Sequence, residues 1–346
     1  MKDEIILNNE VSINKKILEI NNVLETWKST VKIELTDGGK ASGFFIKYQR
    51  EQKPFYCLMT NEHVISPEMT DNGEEILIKF ENEKKYLKIK LNQKERIIVC
   101  LKDMLNIDLT IIEIIPKDNI DDSYFLLPNI KYRNKFRQLI EKDIQILQFP
   151  GGKKLSLSEG KLLGFSGCMF YHNASTQNGW SGSPIFLKDE EGVIGIHRGA
   201  NEDRTKNVGY HIFGFVLDII YQLKRNGEGI EYYDNGKIKY EGNFVNDKYE
   251  GEGKFYETNG EIYIGQFKKG EKHGNGCIIK DGYIIFEGQF NNGYPKKKIY
   301  SEELQIQRYP KIDFEQIFWS AVGKKIGTEI GKGISNFLFG GNSKPK

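Results

Sequence analysis

The chain has almost no surplus of charge: 50 Lys and Arg stand against 48 Asp and Glu, a formal net charge of +2 over 346 residues. So even a balance gives no broad basic field, and nucleic acid is not expected as a partner. Cysteine is scarce. Cys57, Cys100, Cys168 and Cys277 are scattered without the paired spacing of a metal site or a disulfide framework, and they read as reduced thiols. No metal and no cofactor is called for. No run approaches the apolar length of a membrane-spanning helix. The start of the chain, Met1 to Asn22, alternates charged, Asn and aliphatic residues with no apolar stretch of signal-peptide length. A cytoplasmic protein is expected, with a helix over Lys15 to Trp27.

What the chain does have is length for about two domains and three short motifs in a telling order. Thr60-Asn61-Glu62-His63-Val64 comes first, then Asp108-Leu109-Thr110-Ile111-Ile112, then Gly179-Trp180-Ser181-Gly182-Ser183-Pro184. Serine is a poor nucleophile at neutral pH. It becomes effective when a histidine takes its proton, an acid fixes that histidine's tautomer, and backbone N–H groups receive the oxyanion. His63 follows the apolar stretch Tyr56 to Met59 and so falls where a strand ends; Asp108 opens a segment rich in β-branched residues. Around them, Thr30 to Leu35, Gly43 to Tyr48, Phe55 to Thr60, Ile76 to Phe80, Arg96 to Val99, Leu109 to Ile115 and Ile144 to Phe149 read as short strands separated by turns. Many short strands make a mostly β chain, a sandwich or a barrel.

The three motifs, together with Val193-Ile194-Gly195-Ile196-His197, resemble the chymotrypsin-like serine peptidases over Thr26 to Leu223, and within them the bacterial glutamyl endopeptidase branch. The resemblance implies a double six-stranded β-barrel and assigns roles. His63 would be the general base, Asp108 its orienting acid and Ser181 the nucleophile, with the amides of Gly179 and Ser181 forming the oxyanion hole. It also implies that Thr176 and His197 line a pocket for an acidic residue before the scissile bond, giving cleavage after Glu or Asp. Arg198 stands where an aromatic residue is expected, and would either add to acid selection or face solvent. Trp180 replaces the Asp that trypsin-type zymogens pair with a freed amino terminus, so that mode of activation is not expected.

After Lys224 the composition turns to Gly, Tyr, Phe, Lys and Glu. Tyr240-Glu241-Gly242-Asn243-Phe244, Tyr263-Ile264-Gly265-Gln266-Phe267 and Phe286-Glu287-Gly288-Gln289-Phe290 recur every 23 residues. That self-similarity marks a stacked hairpin unit, and the units resemble MORN repeats, which implies a docking role toward a protein or an acidic membrane surface. From Phe314 to Phe339, Val322, Ile326, Ile330, Ile334 and Leu338 are spaced by four, an amphipathic helical stripe. The expected organisation is therefore 1–25 as an N-terminal extension, 26–224 as the peptidase domain, 225–300 as repeats and 301–346 as an amphipathic tail. The expected function is a serine endopeptidase acting on polypeptides, cytoplasmic and peripheral to a membrane if the repeats or tail bind lipid. A non-catalytic adaptor on a peptidase fold and a membrane-tethering MORN scaffold are the competing readings.

Overall fold

A computed structural model describes residues 27–296 apart from 51–52, 82, 84–85, 134, 151–153, 177–180, 189 and 202. The expected helix before Trp27 and the amphipathic tail fall outside the described residues. The chain divides into two compact units: the first runs through Arg225 and adds Gly229–Lys237, and the second takes Asn226–Glu228 and everything from Ile238.

The first unit opens with a sheet of seven strands: β1 (Thr30–Glu34), β2 (Lys40–Tyr48), β3 (Phe55–Thr60), β4 (Glu75–Phe80), β5 (Leu87–Lys90), β6 (Ile98–Cys100) and β7 (Thr110–Glu113). Their order is β5-β4-β1-β2-β3-β7-β6, with all the registered pairs antiparallel. A second set follows, β8 (Asp143–Gln148), β9 (Ser156–Ser166), β10 (Met169–His172), β11 (Pro184–Leu187), β12 (Val193–Ala200) and β13 (Asn207–His211), closed as a barrel in the order β10-β13-β12-β11-β8-β9.

The mostly β class is as the sequence indicates, but the first half departs from two matched six-stranded barrels. It has seven strands, with β5 and β6 at its ends. The connection between these two spends its backbone elsewhere. The amides of Glu95 and Arg96 both donate to the Asn92 carbonyl, and the Ile97 amide donates to a Glu113 carboxylate oxygen. β6 has only three residues, and among the described residues no ladder joins it to β5.

Side-chain alternation explains why these strands are buried on both faces. On β2, Phe44, Ile46 and Tyr48 join a cluster that includes Leu147 on β8, Phe186 on β11 and Tyr210 on β13. Phe45, between them, points the other way into the first sheet's own core with Ile33, Leu58 and Ile112. The closed barrel has its own interior of Ile144, Ile146, Leu162, Phe170 and Ile185. The unit thus has three apolar layers, and the middle one is the seam between the sheet and the barrel. Loops that leave β3, enter β7 and enter β11 meet along that seam.

After β14 (Gly227–Tyr232), within which the division between units falls, the second unit consists of β15 (Ile238–Val245), β16 (Lys248–Tyr256), β17 (Ile262–Lys268), β18 (Glu271–Lys280), β19 (Tyr283–Asn291) and β20 (Tyr294–Pro295), each hydrogen-bonded to the next. Its 23-residue period has a physical form. Gly242, Gly253, Gly265, Gly276 and Gly288 face one another in register, a row of glycine crossing five strands. Tyr240 and Tyr263 lie over that row. A methyl on Gly253 would stand 2.5 Å from the Tyr240 hydroxyl, and one on Gly276 would stand 2.5 Å from that of Tyr263. Tyr240, Tyr263 and, in the third repeat, Phe286 each make an edge contact with the aromatic four residues on, Phe244, Phe267 and Phe290 in turn, at 5.1–5.2 Å. The Tyr240 hydroxyl donates to the Asn243 carbonyl at 3.0 Å and that of Tyr263 to the Gln266 carbonyl at 2.9 Å, so both buried phenols are satisfied.

Candidate active site

β3 ends at Thr60, whose hydroxyl donates to the Ser42 carbonyl at 2.9 Å. The chain then turns: the amides of Val64 and Ile65 both donate to the Asn61 carbonyl, at 3.1 and 3.2 Å. This lifts His63 to the seam, with its side chain 43% exposed. Asp108 sits two residues before β7 with its side chain 7% exposed. The two meet twice. Asp108 Oδ2 lies 2.7 Å from His63 Nδ1, and Oδ1 accepts the His63 backbone N–H at 3.0 Å. A third bond fixes the acid's own backbone, since Asn61 Nδ2 donates to the Asp108 carbonyl at 2.7 Å. Burial works to raise the Asp108 carboxyl, but the hydrogen bonds and charge of His63, with the Arg198 guanidinium, outweigh it and hold the group below the ordinary aspartate value. The acid therefore stays ionised beside an imidazole it can orient.

Ser181 approaches from the barrel side, just before β11. Its carbonyl accepts the Ser42 amide at 2.9 Å, and the next amide, that of Gly182, donates to the His197 carbonyl at 3.0 Å. Gly182 has φ +88°, and a β-carbon there would lie 2.0 Å from the Ser42 carbonyl oxygen, so both conformation and space demand glycine. The Ser181 hydroxyl donates to the Arg198 carbonyl at 3.2 Å, and among the described bonds it does not reach His63. Gly179, the other assigned oxyanion donor, lies outside the described residues.

The residues assigned to acid recognition gather at one end of the barrel. His197 is 1% exposed, and its Nδ1 lies 3.2 Å from Nε2 of His172 on β10. Desolvation first, then the neighbouring His172 and His63, push His197 well below the ordinary histidine value, while burial alone brings His172 to about 4. Both imidazoles are neutral near pH 7. Thr176 donates its hydroxyl to Asn207 Oδ1 at 2.7 Å, and Asn207 stands opposite both His172 and Ala200 in the ladders of β13. Arg198 does something the sequence gives no hint of. Its Nε reaches Asp108 Oδ2 at 3.3 Å, the same oxygen that faces His63. His172 and Asn207, along with Asn61, none of them given a role from the sequence, are further residues that the geometry ties to the site. The position of Asn61 inside the histidine motif is the only sequence signal for any of the three.

Residues 41–196 match the trypsin-like peptidase domain family, and residues 224–238, 240–261 and 263–282 match the MORN repeat. Over residues 41–196 the first unit carries a trypsin-like peptidase domain. The chain as a whole is that domain joined to MORN repeats. No curated protein matches it. Among solved structures it is similar to a serine endoprotease from Yersinia pestis at 16% identity and TM-score 0.41, covering 56% of this chain and 62% of that one. The chain thus spans less than two thirds of that protein. It is also similar to Deg5, at 16% identity and TM-score 0.41 over 58% of this chain and 90% of that one. A Glu endopeptidase in complex with MPD is similar at 15% identity and TM-score 0.42 over 56% and 89%.

Proposed function

We propose that the first unit hydrolyses peptide bonds with Ser181 as nucleophile, His63 as general base and Asp108 as the acid that orients it. The observation that carries this reading is the two-point grip of Asp108 on His63, at Nδ1 and at the backbone N–H. With Nδ1–H committed to the carboxylate, Nε2 is left as the acceptor, which is the tautomer a general base needs. A turn about the Ser181 side-chain bond would take its hydroxyl from the Arg198 carbonyl toward His63. Hydrogen bonds of this kind commonly tighten only when substrate is bound. The amides of Gly179 and Ser181 would then hold the oxyanion.

Preference for Glu or Asp before the scissile bond is supported by the convergence of Thr176, Asn207, His172 and His197 at one end of the barrel. A neutral His197 offers a carboxylate one hydrogen bond, and gains a proton as the carboxylate arrives. The repeats are read as the docking module that brings this activity to its polypeptide substrates or to a surface.

Labelling with a fluorophosphonate probe tests the catalytic reading without knowledge of the natural substrate. The full-length chain should label, and Ser181→Ala and His63→Ala should each fall on the order of 10³-fold or more, with the double variant no worse than either single one. Labelling of Ser181→Ala at the wild-type rate would remove Ser181 from the mechanism.

A further inference from the structure

Arg198 touches two of the three proposed catalytic residues. Its guanidinium shares Asp108 Oδ2 with His63, and its backbone carbonyl holds the Ser181 hydroxyl. It follows His197 on β12, the strand that carries the acid pocket, but its side chain turns away from that pocket to the acid. We infer that Arg198 is a positioning residue for the reaction: it clamps the Asp108 carboxylate from the barrel side and sets the pH range over which His63 can act as a base. This rests on the triad reading above.

The physics is a competition for one oxygen. A protonated imidazole is stabilised by the whole charge of Asp108 when nothing else claims it. A permanent cation on the same oxygen divides that stabilisation and repels the new imidazolium as well. The base then stays unprotonated to lower pH than it would with the carboxylate alone. The other groups around the dyad do not supply this effect. Glu62, on the same turn as His63, is buried and accepts the Lys102 amide. Tyr210 on β13 lies near the Asp108 backbone. His197 is neutral, and Asn61 is uncharged and bound to the Asp108 carbonyl. Arg198 is the one permanent positive charge in contact with the carboxylate among the described residues. Its side chain is 43% exposed, so water screens it without cancelling it.

The rate of fluorophosphonate labelling of the full-length chain, followed against pH, reads this directly because the probe reacts only when the base can take the serine proton. Arg198→Gln should move the acid limb of the profile up by roughly half a unit to one unit, and Arg198→Lys should restore most of the wild-type limb. A residue that merely supports the fold would lower the whole profile and leave its limb in place. That result, or a Lys variant shifted as far as the Gln variant, overturns the inference. NMR titration of His63 in Ser181→Ala, with and without Arg198→Gln, measures the same displacement with no turnover needed; coincident titrations would also overturn it. The underlying triad reading fails differently, through a Ser181→Ala chain that still labels.

Discussion

Replacing Asp108 by asparagine tests the proposed mechanism at its narrowest point, because the two carboxylate oxygens have different work. Oδ1 accepts a backbone N–H, that of His63 at 3.0 Å, and this donor can neither move nor change character. Oδ2 faces His63 Nδ1 at 2.7 Å and Arg198 Nε at 3.3 Å. Both of these can yield. The imidazole can switch tautomer, and the half-exposed arginine can swing into water. An asparagine will therefore keep its oxygen against the backbone N–H and turn its NH₂ toward Nδ1. Nδ1 must then accept, the proton goes to Nε2, and His63 can no longer receive the proton of Ser181. The expected loss is about 10⁴-fold in the labelling rate, or about 5.4 kcal/mol of transition-state stabilisation. Stability should change little, because the variant is nearly isosteric and keeps the backbone contact. Thermal unfolding beside the labelling kinetics separates the two effects, and nitrogen-detected NMR of His63 reports the tautomer itself. Labelling within tenfold of wild type, in a chain whose Nε2 carries the proton, would refute the reasoning.

Substrate choice gives a second measurable outcome. His197→Ala should erase most of a Glu-over-Gln preference in kcat/KM, a discrimination expected at roughly 2–4 kcal/mol in the intact site. Because burial holds His197 well below its ordinary value and a bound carboxylate favours its protonated form, that preference should grow as pH falls from about 8 to about 5; the ratio cancels the titration that both substrates share, so a flat ratio would show that His197 does not meet the acid. In the repeats, Gly265→Ala would place a methyl 2.5 Å from the Gly276 α-carbon and 2.6 Å from the Asn275 carbonyl oxygen, whereas at Gly288 the nearest atom is Phe286 Cζ at 3.0 Å. The first substitution should cost about 1–3 kcal/mol and the second clearly less, read by urea unfolding with hydrogen exchange over β17 and β18; equal costs would mean that the row is not the tight feature it is taken to be.

The fold class was legible because its signals are local. Two-residue alternation marks strands such as β1 and β3, and a 23-residue period marks the repeats. The seven-stranded, unclosed first sheet was not legible, since it depends on how the short stretch from Asn92 to Ile97 spends its hydrogen bonds. The candidate site divides in the same way. Its histidine, acid and serine stand in short motifs whose neighbours betray them. The Arg198 contact joins residues 90 apart in sequence and the His172–His197 contact joins residues 25 apart. No pattern in the intervening chain encodes either. Arg198 illustrates the limit well, because its departure from an expected aromatic was visible while its direction was not.

Along the glycine row of the second unit, neighbouring strands meet through backbone alone, and the same ring contact returns with each 23 residues of chain. The backbone pairing at the row is the same from one hairpin to the next, although Phe286 in the last stands where the others have Tyr240 and Tyr263. An insertion or deletion of one whole period would therefore leave every surviving contact as it was and only move the end of the sheet. Inserting or deleting a single residue within one strand would instead turn the side chains beyond it to the opposite face. The module can lengthen or shorten in steps of two strands, about 10 Å each, and resists any finer adjustment. It behaves as a ruler with a single graduation, on which reach can drift over evolutionary time while the surface it presents stays the same.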